Sequence, residues 1–368
     1  MKICIASGYY PYIKGGAEYQ SKIIALELVK LGFEVFFISI DNRNKKSVFI
    51  DDGIKVYHIN FNLKLNKLVL YYEVFSIINK ILKNEKPNYL YQRVLNSMSY
   101  HYARNSEKLG YKFSLHIADN YCLEFKELSF SRIIRQYFFK KIFREDFTLI
   151  VQTKLQKELL LSLGLNKGEQ IYNMHKVNNI DVDCIARAKF FRNVKKIVWI
   201  GNARPVKQLE LYLDLAKLFE ENKEFEFHFF GEIYDDEYGR LLKNRVESSR
   251  NTYYHGVVDN EDINKFLYEE AFLTVNTSVS EGFSNVFIQS WINGVLVLSL
   301  NSNPDDIFEN PQLGKCFDGK ISNFKEYILS ISNSSTNYTN YSYNAYMTSK
   351  DLFSIEKNLS KMVKLITK

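Results

Sequence analysis

Runs of buried-strand character alternate with runs of helical period along almost the whole chain, and this alternation restricts the fold more than any other feature. Lys2 to Ser7 and Phe33 to Ile40 read as strands around a helical run with apolar Ile23, Ile24, Leu26, Leu28 and Leu31. Strand, helix, strand in that order make a βαβ unit, because parallel neighbours need a crossover long enough to hold a helix. The pattern continues through Tyr89 to Tyr91, Phe113 to His116 and Leu149 to Val151, weakens among the polar residues from Met174 to Val194, and resumes at Ile197 to Ile200. Phe225 to Phe230, Tyr253 and Tyr254, Leu273 to Val275, and Val295 to Leu298 are the later strands. A chain of 368 residues also exceeds what one core usually serves. The expectation is an α/β protein of two doubly wound, Rossmann-like domains, at 1–175 and 176–350, joined by a linker. Polar, turn-rich residues 333–343 precede a closing helix, at 351–368, placed to pack back on the first domain.

Several function classes are excluded. Cys4, Cys122, Cys184 and Cys316 lack paired spacing, which argues against a disulfide framework or a zinc site and suits reducing cytoplasm. The six histidines gather no ligand set; His255 with Asp259 is one carboxylate at helical spacing. The sole Asp-x-Asp, Asp181 to Asp183, falls in the linker and reads as solvated charge, so no metal is expected. No run approaches the roughly 18 apolar residues of a spanning helix, and Met1 to Ala6 is too short for a signal-peptide core. The net charge of +7 is lopsided: residues 1–185 hold 27 Lys/Arg against 18 Asp/Glu, and the remainder 22 against 24. A basic half suits an anionic surface or substrate, or serves only solubility. Within it, residues 131–144 mix Arg132, Arg135, Lys140, Lys141 and Arg144 with apolar residues at helical period, as in a helix resting on a membrane or an amphipathic core helix with solvated charges. No nucleic-acid-binding motif accompanies the charge.

Three segments carry chemistry. The first strand runs into residues 8–18, where Gly15 and Gly16 open a helix, a tight turn or a place for backbone to approach an anion. It lacks the G-x-G-x-x-G spacing of dinucleotide-binding turns. Residues 199–207 open the second domain with Arg204 and Lys207 on a strand-to-helix turn; a forked guanidinium and a compact ammonium can neutralise a diphosphate leaving group. Residues 276–290 place Glu281 in a loop, Gly282 beside it, and the backbone N–H groups of Phe283, Ser284 and Asn285 at a helix start, with Gln289 two turns on. Carboxylates and amides bind paired sugar hydroxyls, so this segment suits a nucleoside diphosphate sugar; capping by Ser280 is the plainer reading.

In their order along the chain these segments, with Gly256-Val257 and residues 293–297, resemble the retaining glycosyltransferases of family four, glycosyltransferase group 1, over nearly the whole length. The resemblance implies the GT-B fold, two facing Rossmann-like domains with a cleft between. It implies Lys207 and Arg204 on the donor diphosphate, Glu281 on hydroxyls of the transferred sugar, and backbone contacts from Phe283, Ser284 and Asn285. Gly256 and Val257 would meet the nucleobase, Gly15 and Gly16 the donor phosphates and acceptor, and His116 the donor sugar, although a core histidine is an equal reading of that residue. It implies a metal-independent transfer without protein nucleophile, from a UDP-sugar or a GDP-sugar, to a glycan or lipid-linked glycan in surface polysaccharide or glycolipid assembly at the cytoplasmic face of a membrane.

Two departures matter. The family's second glutamate is Gln289 here, and its arginine, usually at the place of Asn202, is nearest at Arg204. A neutral amide still bonds a hydroxyl, but about 1 kcal/mol less strongly. These departures motivate an alternative, a non-catalytic nucleotide-sugar-binding protein or partner subunit; an epimerase or phosphorylase on the same fold is another.

Overall fold

A computed structural model of the chain describes all residues except 42–46, 62–67, 121, 124–140, 166–167 and 368. The candidate membrane helix at 131–144 lies mostly outside the described residues. Among those described, no helix is long and apolar enough to cross a membrane. The chain forms two compact units, Met1–Met174 with Glu356–Lys368, and His175–Ile355.

The first unit is built on eight strands: β1 (Lys2–Ala6), β2 (Glu34–Asp41), β3 (Val48–Asp51), β4 (Ile54–Asn60), β5 (Tyr89–Arg93), β6 (Lys112–His116), β7 (Thr148–Val151) and β8 (Glu169–Gln170). Their order is β3-β4-β2-β1-β5-β6-β7-β8. All neighbours are parallel except β3 and β4. That pair is a hairpin closed by Asp52 and Gly53, both at positive φ (49° and 74°), as a two-residue turn following the twist of its strands requires. Lys22, from helix Gly16–Lys30, pins the turn with its ammonium 2.9 Å from Asp51 and 2.7 Å from Asp52. Fully buried Cys4, Leu90 and Leu115 on the strands meet Ile78 and Leu82 of helix Leu68–Glu85 in the core. The strand order reverses at β1, which is where open α/β sheets leave a crevice at the strands' carboxyl ends.

The second unit has six parallel strands, β9 (Lys195–Ile200), β10 (Phe225–Phe230), β11 (Thr252–Tyr254), β12 (Ala271–Asn276), β13 (Leu296–Ser299) and β14 (Gly314–Cys316), in the order β11-β10-β9-β12-β13-β14. Here the reversal falls between β9 and β12. Both carry continuous apolar runs, as strands covered on both faces must.

Two segments differ from expectation. Of residues 333–343, all from Ser335 on belong to helix Ser335–Phe353, whose first turn Ser334 caps by accepting a hydrogen bond from Asn337. Its tyrosines are amphipathic: Tyr338 stacks on Phe272 at 4.2 Å and donates to the Phe272 carbonyl at 2.9 Å, burying a ring without orphaning its hydroxyl. The expected linker likewise contains helix Val182–Phe190, capped by Asp181, which accepts from Cys184 N at 3.0 Å. Asp181 is therefore a cap as well as a charge. Lys189 of this helix is buried and gives its ammonium to the carbonyls of Leu267 (2.7 Å) and Asn293 (3.4 Å).

Candidate functional site

The loops leaving β9 and β12 are joined before any ligand is considered. Buried Trp199 donates its indole N–H to the Thr277 hydroxyl at 3.0 Å, that hydroxyl donates to the Lys207 carbonyl at 2.7 Å, and Val279 N donates to the Val206 carbonyl at 2.9 Å. The joined loops bring Lys207 and Glu281 into direct contact, ammonium to carboxylate. Glu281 also accepts from the Ser278 hydroxyl at 2.7 Å and from the Asn276 amide at 3.3 Å. Burial alone would raise its pKa; the Lys207 charge and these hydrogen bonds outweigh burial and hold the carboxyl below its usual range. The side chain of Glu281 is 12% exposed and that of Lys207 is 28% exposed, so the pair is sheltered yet open on one side.

Arg204 stands apart from this pair. It is exposed, lies over the Tyr234 ring at 5.7 Å from its centroid, and donates to the Tyr234 hydroxyl at 3.2 Å. Asn202 accepts from Glu232 N at 3.2 Å.

Helix Asn285–Ile292 begins after the Glu281 loop with Ser284 as its extended N-cap, whose side chain makes no capping bond. The expected Ser280 cap is thus displaced to Ser284, and the first-turn N–H groups begin at Asn285. The Phe283 ring is core, packed 4.9 Å from Phe353 and 6.4 Å from Trp291. Asn285 turns its amide oxygen to His175 Nε2 at 3.4 Å, and burial lowers that imidazole to about 4. Gln289 is buried, with its amide donating to Asn260 at 3.0 Å, which places it at the start of the helix following Gly256 and Val257.

Gly256 has φ 71° and accepts from Gly231 N at 2.8 Å, while Val257 is exposed. Gly231 is a residue that the reading of the sequence missed. A Cβ there would lie 1.9 Å from the Gly201 carbonyl oxygen, and its φ is 135°, so only glycine lets the ends of β9, β10 and β11 close together. Also missed was a relay beneath the turn: His255 Nε2 lies 2.9 Å from His228 Nδ1, and His228 Nε2 lies 3.2 Å from Glu226. His255 is thus held by His228. Among the described residues no cluster of three His, Cys, Asp or Glu could hold a metal ion.

Gly15, Gly16 and His116 belong to the first unit. Gly15 is the extended N-cap of helix Gly16–Lys30, and a Cβ on it would meet the Glu18 carboxylate at 2.2 Å. His116 ends β6 and is buried; Tyr91 and Arg93, from neighbouring β5, meet its Nδ1 at 2.8 and 3.2 Å. Burial first, and the Arg93 charge second, push its pKa well below the ordinary histidine value.

Residues 185–348 match the family model described as glycosyl transferases group 1. No curated protein matches the chain. Among solved structures, sucrose-phosphate synthase from Thermosynechococcus elongatus is similar with a TM-score of 0.81 at 12% identity, covering 99% of this chain and 98% of that one. Anabaena HepE in complex with UDP-glucose is similar at 0.74 and 14% identity, covering 100% and 99%. A mutant of S. aureus TarM in complex with fondaparinux, alpha-GlcNAc-glycerol and UDP is similar at 0.75 and 15% identity, covering 100% of both. At these identities the likeness is one of fold, and the fold is GT-B.

Proposed function

We propose that the chain, whose residues 185–348 match the group 1 glycosyl transferase model, is a member of that family and a retaining, metal-independent glycosyltransferase. It moves a sugar from a nucleoside diphosphate to a glycan or lipid-linked glycan acceptor, in surface polysaccharide or glycolipid assembly at the cytoplasmic face of a membrane. UDP stands before GDP as the carrier because HepE and TarM, which share the fold, were solved with UDP-glucose and with UDP.

The observation that carries this reading is the Lys207–Glu281 contact at the strand-order reversal of the second unit. Without donor, each charge satisfies the other. With donor bound, Lys207 turns to the diphosphate and Glu281 to hydroxyls of the sugar, so an ion pair is exchanged for two charge-assisted contacts. Breakage of the glycosidic bond to the diphosphate leaves negative charge on the leaving oxygen. Lys207 and the N–H groups opening helix Asn285–Ile292 stabilise it, with Arg204 reaching the outer phosphate once released from Tyr234. The chain thus supplies the positive charge that a divalent cation supplies elsewhere. The acceptor hydroxyl enters from the leaving-group side and gives its proton to the departing phosphate oxygen, so no protein nucleophile is required. Gly256 and Val257 receive the base, with Gln289 beneath them.

Thermal stabilisation and donor hydrolysis with a panel of UDP- and GDP-sugars test this, comparing the native chain with Lys207→Ala and Glu281→Ala. Selective stabilisation and slow hydrolysis, both lost in the variants, are expected. Binding without turnover under every acceptor would make the protein a nucleotide-sugar-binding partner, which the engagement of Gln289 by Asn260 and of Arg204 by Tyr234 favours as the second reading.

A further inference from the structure

β3 is the outermost strand of the first sheet among the described residues, and its register on β4 shows which of its main-chain groups are already engaged. The Ser47 carbonyl accepts from His58 N at 2.9 Å. Bonded and open pairs alternate along an antiparallel ladder, so Phe49 and Asp51 also turn their N–H and C=O groups to β4, while those of Val48 and Ile50 turn outward. The side chains alternate as well. Val48 and Ile50 share one face and are 49% and 74% exposed; Phe49 lies on the other, its ring 5.0 Å from that of Tyr12, which is 46% exposed.

An open apolar edge is a template for another strand, and natural sheets blunt such edges with lysine, proline, a bulge or an inward charge. Residues 47–51 hold one charge, Asp51, and it is already met by Lys22 and by the Tyr9 hydroxyl, each at 2.9 Å. The strand is also its own complement. Laid antiparallel on a second copy with the two-fold axis at Phe49, Val48 of each chain falls opposite Ile50 of the other. These are the residues whose main-chain groups point outward, so both pairs exchange N–H···O=C bonds while setting apolar against apolar. Ser47 falls opposite Asp51, hydroxyl to carboxylate, and the two Phe49 rings meet beside Tyr12. Moving the axis to Ile50 would instead set Val48 against Asp52.

We propose that β3 is a homodimer interface, pairing with β3 of a second copy about a two-fold axis at Phe49 and joining the two sheets into one. A single symmetry operation then covers Tyr12, Val48 and Ile50, and the pairing stands independently of the donor-binding function proposed above.

Sedimentation velocity of the full-length chain over a range of concentrations reads the dimer, and two charge variants read the register. Both positions are exposed, so Val48→Lys and Ile50→Glu should keep the native melting temperature. Each alone should weaken the dimer about tenfold or more, since a charge then faces an aliphatic side chain in both cross-strand pairs. An equimolar mixture of the two variants should dimerise again, because one pair sets the two new charges, opposite in sign, face to face and the other pair stays native. A native chain that is monomeric at every concentration overturns the proposal, as does a dimer indifferent to both variants or a mixture that stays monomeric. Should a variant fail to fold, hydrogen exchange of the native chain decides. The Val48 and Ile50 amides should exchange freely when dilute and gain protection as the dimer forms, with Phe49 protected throughout; protection at Val48 and Ile50 that does not follow concentration overturns the pairing.

Discussion

The Lys207 ammonium and the Glu281 carboxylate touch across two loops that leave adjacent strands, although 74 residues separate them in the chain. On the function proposed above, each is the other's stand-in for substrate. Removing one leaves its partner sheltered without this counter-charge, so the single variants carry a cost that the double variant avoids. A double-mutant cycle on Lys207→Ala and Glu281→Ala should show a coupling of about 1–2 kcal/mol in unfolding free energy without nucleotide. In binding the variants should diverge: Lys207→Ala weakens UDP about 10- to 100-fold, while Glu281→Ala leaves UDP within about threefold and abolishes preference among UDP-sugars. Calorimetry with UDP and a UDP-sugar panel reads both.

Glu281 also gives the fold an acid-side dependence. Its carboxyl is held below the ordinary 4.5 in the folded chain, so the unfolded chain takes up its proton first as pH falls. Its stabilisation is complete above pH 4.5 and is lost as pH drops through the lower folded value. The difference in melting temperature between the native chain and Glu281→Gln should be constant from pH 7 to 5.5 and shrink below 4.5.

Lys189 acts in the opposite range. Burial, reinforced by Arg192, lowers it from 10.5 to about 7. Between those values the unfolded chain binds the proton that the folded chain has released, so stability rises with pH from 7 towards 10.5 and is flat below 7. Denaturant titrations at pH 7 and 9 should show the native chain gaining stability relative to Lys189→Met.

Gly231→Ala should fail for a steric reason. The added carbon would sit 1.9 Å from the Gly201 carbonyl oxygen at φ 135°, and the obstructing atoms, of Gly201 and Asn202, are backbone just past the end of β9. A loss of more than about 3 kcal/mol is expected, with nucleotide binding lost in whatever protein folds. A melting temperature within two degrees of native would refute the close approach.

Gln289→Glu should tighten the nucleoside diphosphate, since a carboxylate bonds a hydroxyl more strongly than an amide by about 1 kcal/mol, or roughly fivefold in Kd. Asn260 can offer its amide N–H groups to the new carboxylate. A weaker Kd would mean that Gln289 serves only Asn260.

Strands were legible where both faces are buried, because Ile197 to Ile200 and Phe225 to Phe230 then read as unbroken apolar runs. Helices were legible where aliphatic residues mark the buried face. The helix Ser335–Phe353 escaped because Tyr338 and Tyr346 do that work with rings whose hydroxyls find carbonyls, and tyrosine does not register as apolar. Lys189 disguised Val182–Phe190 in the same way, its ammonium satisfied by main chain. The Asp52-Gly53 hairpin had a signal, a turn dipeptide between alternating residues, that went unread. At the candidate site, Lys207 and Glu281 announced themselves through strand-to-helix turns. Gly231, Arg93 and the His228–His255 relay had no such mark, for their meaning comes from which strands lie side by side.

The hydroxyl of Thr277 sits between the Trp199 indole and the Lys207 main chain, and so ties the β12 loop to the β9 loop. The gap between cation and carboxylate is therefore set by two neighbouring strands, roughly 4.8 Å apart, and not by loop length. On the function proposed above, substitutions at Asn276 or Ser278 would retune which hydroxyls Glu281 reads while the grip on phosphate stays where it is. One scaffold would in this way drift from sugar to sugar across descendants without ever passing through a form that has let go of its nucleotide.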